Sequence, residues 1–112
     1  MRLNKKKGIL FLVTGLSGSG KTTIAKAIRK NIENKYGKTL LFSGDSIRNI
    51  FNLKTYSKSE RSKISKKFSK FAKAITNQNI NLILATVSMI RSFRKWNRKN
   101  MDNYVEIYIR SD

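Results

Sequence analysis

The segment Gly15-Leu16-Ser17-Gly18-Ser19-Gly20-Lys21-Thr22 narrows what this chain can fold into more than any other feature. It fits G-x-x-x-x-G-K-[ST] in full. It follows Ile9 to Thr14, a continuous apolar run of β-forming residues, and precedes Ile24, Ala25, Ile28 and Ile32, which recur at helical spacing from Thr22 until Gly37 closes the helix. Strand, glycine turn and helix in that order are the setting of a phosphate-binding loop. The glycines let successive backbone N–H groups wrap phosphates, the helix N-terminus adds its positive dipole end, Lys21 reaches the β and γ phosphates, and the Thr22 hydroxyl can ligate Mg²⁺. Gly15, Leu16, Ser17, Gly18, Ser19, Gly20, Lys21, Thr22 and Thr23 are the expected contacts to ATP, with Mg²⁺ beside Thr22. The alternative is a Gly-rich strand-to-helix turn that happens to precede Lys-Thr.

The remaining pattern alternates between strands and helices. Thr39 to Phe42 reads as a second strand, ending in Ser43-Gly44-Asp45, and a mixed segment holding Arg48 and Phe51 follows. Ser57 with Glu60 makes a capping box, after which Ile64, Phe68, Phe71, Ala72 and Ile75 form one apolar stripe along a long helix. Asn77 to Asn81 reads as a turn and Leu82 to Val87 as a third buried strand. Met89, Phe93 and Trp96 mark another helix, with Phe93 and Trp96 on its core side and Arg91, Arg94, Lys95, Arg98 and Lys99 on its wet face. Tyr104 to Ile109 reads as a fourth strand. The fold class expected is α/β: a three-layer α/β/α arrangement on a mostly parallel sheet of about four strands, with residues 1–112 as one domain.

Composition closes off several chemistries. The chain has no Cys, His or Pro, so there is no disulfide framework, thiolate nucleophile, imidazole base or His-ligated zinc. Any catalysis runs on carboxylates, Lys, Arg, hydroxyls, backbone amides or a hard metal ion. Lys and Arg number 25 against 6 Asp and Glu, a formal net charge of +19. That excess invites a nucleic-acid reading, but the lysines are spread along the whole chain rather than gathered into a groove, and the charge is read instead as a solvated surface suited to small anions. Nucleic acid is not the expected partner. No run approaches the roughly 20 apolar residues of a membrane span. The basic start, Arg2 and Lys5 to Lys7, precedes an apolar run that is better explained as a buried strand than as a signal peptide. With no Cys, a reducing compartment fits, and the cytoplasm is expected.

Gly44-Asp45-Ser46-Ile47-Arg48 lies at the carboxyl end of the second strand, the edge of the sheet where open α/β folds bind ligands. Asp45 there can orient a substrate hydroxyl, accept its proton, or hold Mg²⁺ through water, and Arg48 can pair with an anionic acceptor. Equally, Asp45 can be the cap of a following helix and Arg48 a solvated side chain.

Taken together, these motifs resemble the adenylylsulfate kinase family, P-loop enzymes that move the γ-phosphate of ATP to the 3′-hydroxyl of adenosine 5′-phosphosulfate. The resemblance runs from about Ile9 to the last residue. It rests on the glycine loop with Lys21-Thr22-Thr23, on Gly44-Asp45-x-x-Arg48, on Tyr56-Ser57-x-x-Glu60-Arg61, on Ala72-Lys73 and on Val87-Ser88-x-x-Arg91. It implies Asp45 at the acceptor hydroxyl and magnesium site, Arg48 and Arg61 on the acceptor's acidic group, Tyr56 stacked on its base, Ser88 beside the reaction centre, and Arg91 as a further substrate contact.

The departures from the family pattern fall on the acceptor side. Ser43-Gly44-Asp45 stands where the family reads Asp-Gly-Asp, Ile64-Ser65-Lys66-Lys67 where it reads Asn-Ile-Arg-Arg, and Ser88-Met89-Ile90-Arg91 where it reads Ser-Pro-Tyr-Arg. Phosphate handling is left intact and the acceptor pocket is altered, which makes cytidine diphosphoramidate the alternative acceptor to adenylylsulfate. The family's fourth strand continues into a lid, a base-binding segment and a fifth strand, and here the sequence ends at Ser111-Asp112. A fragment, or a nucleotide-binding chain with little turnover, is expected on that account. Apolar surface on an incomplete sheet gives a second copy a place to dock, so a homodimer is a further expectation.

Overall fold

The computed structural model describes residues 3–15, 20–54, 57–86 and 91–110. The elements in order are β1 (Leu10–Gly15), α1 (Lys21–Tyr36), β2 (Thr39–Ser43), α2 (Gly44–Ile50), α3 (Lys58–Thr76), β3 (Asn81–Thr86), α4 (Arg91–Asn100) and β4 (Tyr104–Ile109). The four strands form one sheet in the order β2-β3-β1-β4, every pair parallel.

β1 and β3 are the inner strands, and both are buried along their whole length. A strand covered on both faces has no reason to alternate polar and apolar residues, which is why each reads as an unbroken apolar run. Successive side chains still point to opposite faces. Ile9, Phe11 and Val13, with Ile83 and Ala85, pack against Ala25 and Ile32 of α1. Leu10 and Leu12, with Leu82 and Leu84, pack against Ile47, Ile64, Phe68, Ala72 and Phe93 of α2, α3 and α4. Helices on both faces of a parallel sheet make the three-layer α/β/α architecture.

Two connections depend on buried Asn side chains. Asn81 opens β3 rather than closing the preceding turn: its Oδ1 accepts from Ile9 N at 2.8 Å, and its Nδ2 donates to the carbonyls of Tyr36 and Gly37. Asn103 donates to the carbonyls of Asn4 and Lys7 and accepts from Asn4 N. On the α3/α4 side, Ser69 Oγ donates to Asn97 Oδ1 at 2.8 Å inside the core, and Asn97 Nδ2 faces the Tyr104 hydroxyl. Burial, the largest influence on the Tyr104 hydroxyl, raises its pKa and keeps it protonated. Gly8 sits so close to β3 that a Cβ there would stand 1.9 Å from the Ile80 carbonyl oxygen.

The expected elements agree in type, the expected strand end at Val87 lies outside the described residues, and one helix was not expected. α2 occupies the segment read as mixed. Its cap is Ser43, whose Oγ accepts from Ser46 N at 3.0 Å, so Asp45 is not the cap; it lies in the helix's first turn. Ser57 caps α3, accepting from Glu60 N at 3.1 Å. α4 takes its core contacts from Phe93 and Asn97, with Trp96 partly buried beside them, while Met89 lies outside the described residues. Ile24, although on the apolar stripe of α1, is exposed. Among the described residues no helix is long and apolar enough to cross a membrane.

Candidate functional site

The carboxyl ends of β2 and β3 and the start of α1 converge on one cleft of about 240 Å³. Its first wall is the start of α1. Gly20 is the N-cap in a left-handed conformation, φ 90°, which an L side chain would resist and glycine adopts freely. Gly20 has no side chain with which to cap the helix, and no acidic residue occupies the first turn. The positive end of the α1 dipole is thereby left facing the cleft, where Lys21, Thr22 and Thr23 contribute to the lining.

The opposite wall is α2. Ser43 ends β2 and caps the helix, Gly44 follows, and Asp45 and Arg48 project from the first two turns into the same cleft. Spaced three residues apart, Asp45 and Arg48 lie on one helix face. They form an ion pair, Asp45 Oδ1 accepting from Arg48 Nη2. The Asp45 carboxylate is 89% exposed and Arg48 only 23%, so the carboxylate faces solvent in the cleft while the guanidinium lies against the protein. A surface pair of this kind contributes about 0–1 kcal/mol, weak enough for a ligand to break.

The floor is the end of β3. Ala85 and Thr86 line it. Gly44 and Thr86 meet closely: a Cβ on residue 44 would stand 2.9 Å from Thr86 Oγ1 and 3.3 Å from Arg48 Nη1. The absence of a side chain at position 44 is what lets α2 settle onto the floor.

The fold thus brings together Gly20, Lys21, Thr22, Thr23, Asp45 and Arg48 from the residues singled out in the sequence. Gly15 is the last residue of β1 and is not part of this lining. Arg61 and Arg91 stand in the first turns of α3 and α4, both exposed, and are not part of this lining. Leu16, Ser17, Gly18, Ser19, Tyr56 and Ser88 lie outside the described residues. The sequence reading gave no role to Ala85 and Thr86, and named Ser43 and Gly44 only as part of a motif. Their signal was positional, since each falls at the carboxyl end of a strand in an open parallel sheet.

The donor set fits a hard cation on phosphate oxygens. Thr22 offers a hydroxyl and Asp45 an exposed carboxylate, and no group of three or more His, Cys, Asp or Glu among the described residues makes an all-protein metal cage. Mg²⁺ is held in this way, by one or two protein oxygens with phosphate and water completing the octahedron.

Known proteins share this sequence pattern and this fold. The adenylylsulphate kinase family model matches residues 7–112. A cytidine diphosphoramidate kinase of Campylobacter jejuni is 37% identical over 108 residues, covering 96% of this chain and 64% of that protein. A probable adenylyl-sulfate kinase of Archaeoglobus fulgidus is 32% identical over 99 residues, covering 88% of this chain and again 64% of the relative. The chain therefore spans a little under two thirds of the length of these relatives. The crystal structure of APE1195 superposes with a TM-score of 0.83 at 26% identity, over 96% of this chain and 65% of that one. A family match running from just before β1 to the last residue, on a sheet that superposes this well, is more than a shared glycine loop: the chain belongs to the adenylylsulphate kinase family.

Proposed function

We propose that this chain, as a single kinase domain, binds ATP with Mg²⁺ and transfers the γ-phosphate to a hydroxyl of a small anionic 5′-nucleotide. The observation that carries this reading is the pairing of two unlike walls across one cleft: the α1 N-terminus with Lys21 and Thr22 on one side, Asp45 and Arg48 on the other.

Phosphoryl transfer requires little covalent participation by the protein; positioning and charge stabilisation supply nearly all of the rate. The α1 amides and Lys21 hold the β and γ phosphates, with Lys21 aimed at charge that grows in the transition state. Thr22 and Asp45 are the residues that would hold Mg²⁺, which when bound neutralises charge on the phosphates. Asp45 also orients the acceptor hydroxyl and takes its proton, and Arg48 binds the acceptor's anionic group. In that state Arg48 leaves Asp45 for the incoming anion, and the carboxylate is released to the hydroxyl and the cation.

For the acceptor we favour cytidine diphosphoramidate over adenylylsulfate. The Campylobacter relative, at 37% identity, acts on the former by name. Ile64, where the family pattern has Asn, is buried in the core with Ile47 and Phe68, so that position offers no hydrogen bond to any acceptor. A polar contact left unmade costs about 1–3 kcal/mol. The experiment is a side-by-side comparison of cytidine diphosphoramidate, adenylylsulfate and gluconate with ATP and Mg²⁺. The expected result is transfer to the nucleotides with cytidine diphosphoramidate preferred. Preference for gluconate would overturn the nucleotide-acceptor reading.

A further inference from the structure

The cations of this chain are spread along its sequence but gathered by its fold. Seven Lys or Arg lie on α3 and five on α4, against Glu60 as the one acid in either helix, and both helices pack on the same side of the sheet. They lie against each other there. Ser69 Oγ donates to Asn97 Oδ1, and Lys73 Nζ donates to the Asn100 carbonyl at 3.1 Å while standing over the Trp96 ring. Ile64, Phe68 and Ala72 turn one side of α3 to the core. The opposite side carries Lys63, Lys66, Lys67 and Lys70, all exposed, at spacings of three and four residues that make them neighbours on the helix surface. Lys95 and Lys99 are a pair of the same kind on the outer side of α4, away from Phe93 and Asn97. None of these six has a hydrogen-bond or ion-pair partner among the described residues. The arrangement works against α3 taken alone: like charges at these spacings repel, and the helix dipole favours cations only in the last turn, where α3 has Lys73. On α1, by contrast, Arg29 pairs with Glu33 four residues on.

We propose that the outer face of α3 and α4 is a docking surface for an anionic lipid bilayer. Its charge calls for an anion and disfavours a second copy of this chain, which would bring the same charge to the contact. Two helices side by side on a sheet present one broad face, so their lysines can meet a plane of headgroups together, each adding to the attraction. Lys is a compact, hydrated point charge suited to diffuse headgroup charge, and it lacks the planar fork with which Arg reads a base edge. No aromatic side chain of α3 or α4 is exposed, so the face has no platform on which the bases of a nucleic acid would stack. Attachment of this kind is electrostatic, confined to the membrane surface and reversed by salt. The phosphate cleft opens at the carboxyl edge of the sheet between α1 and α2, so a bilayer against the α3 and α4 layer leaves it open. The inference goes beyond the kinase reading and does not depend on it.

The test is co-sedimentation with two kinds of vesicle, phosphatidylcholine alone and phosphatidylcholine with about a third phosphatidylserine, at low and high salt. The wild-type protein should bind only the anionic vesicles and be released by salt. A face variant combining Lys66→Gln, Lys67→Gln, Lys70→Gln and Lys95→Gln should bind them about fivefold more weakly for each lysine replaced. A control combining Lys26→Gln, Lys30→Gln, Lys35→Gln and Lys38→Gln has the same net charge but alters α1 and the turn after it, on the other side of the sheet. It should bind much as the wild type does. Equal weakening in the two variants would show that net charge alone is responsible and would overturn the inference, as would failure of the wild type to bind anionic vesicles. Tighter binding to single-stranded RNA than to vesicles, lost in the face variant, would overturn the lipid assignment in favour of a nucleic acid. Gln is as good a helix former as Lys and the exchange relieves repulsion, so the face variant should melt no lower than the wild type. Should it fail to fold, Lys67→Gln with Lys95→Gln carries the comparison. Titration of the same proteins with Mg²⁺-ATP reports separately on the kinase reading.

Discussion

The two walls of the cleft are built on different principles. The α1 wall works through its backbone: a glycine N-cap, an uncapped helix start and a first turn with no carboxylate present a positive end whose position is set by the strand and helix on either side. The α2 wall works through side chains. Asp45 and Arg48 hold each other at the surface of a short helix, which Ser43 below, Gly44 against Thr86 and the buried Ile47 fix to the sheet. A wall made of amides recognises phosphate whatever the nucleotide is. A wall made of two paired side chains can be retuned by one substitution, and the departures from the family pattern at Ser43 and Ile64 lie on or behind that wall. On the proposed function, phosphate recognition is general to the fold and acceptor recognition is particular to the chain.

The largest break in this contrast should come from Lys21→Ala. On the proposed function it removes a cation aimed at charge in the transition state, a loss of about a hundredfold in turnover. Steady-state rates at saturating acceptor would show it, and unchanged turnover would remove Lys21 from the chemistry. Arg48→Ala should be milder and confined to the other wall. The acceptor KM is expected to rise by about tenfold, as for a charge-assisted hydrogen bond lost, with ATP affinity unaltered. A matching fall in ATP affinity would mean the two walls are not independent. The last effect expected is structural and leaves both binding functions alone. Gly44→Ala should destabilise the fold by about 1–3 kcal/mol through overlap with Thr86, and by less in a Thr86→Ala background, where the 2.9 Å contact is gone. Additive losses in a denaturation cycle would show that α2 is not fixed by that contact.

What the sequence revealed follows the same division. β1 and β3 were legible because both of their faces are buried, and α1 and α3 because a long helix with one apolar face repeats at helical spacing. α2 was not legible: at seven residues it is too short for a periodic stripe, its one fully buried apolar side chain is Ile47, and Ile50 with the adjoining Phe51 is exposed. The signal available was Ser43 in cap position ahead of Ser46, which competes with the many Ser residues that cap nothing. Asn81, Asn97 and Asn103 were equally hidden. A buried Asn is earned by the carbonyls and amides it meets across long sequence separations, and those neighbours exist only once the sheet has formed. Thr86 escaped notice for a related reason. Alone it is another strand residue; it becomes a floor only when α2 has laid Gly44 beside it.

An equilibrium titration with Mg²⁺-ATP, run on the wild-type protein and on Lys21→Ala, tests most directly whether the cleft is a nucleotide phosphate site. Saturable binding to the wild type, weakened in the variant and indifferent to added nucleic acid, is the result predicted. No binding at millimolar nucleotide, together with tight, salt-sensitive binding to DNA or RNA, would contradict it and reassign the excess of Lys and Arg to a polyanion.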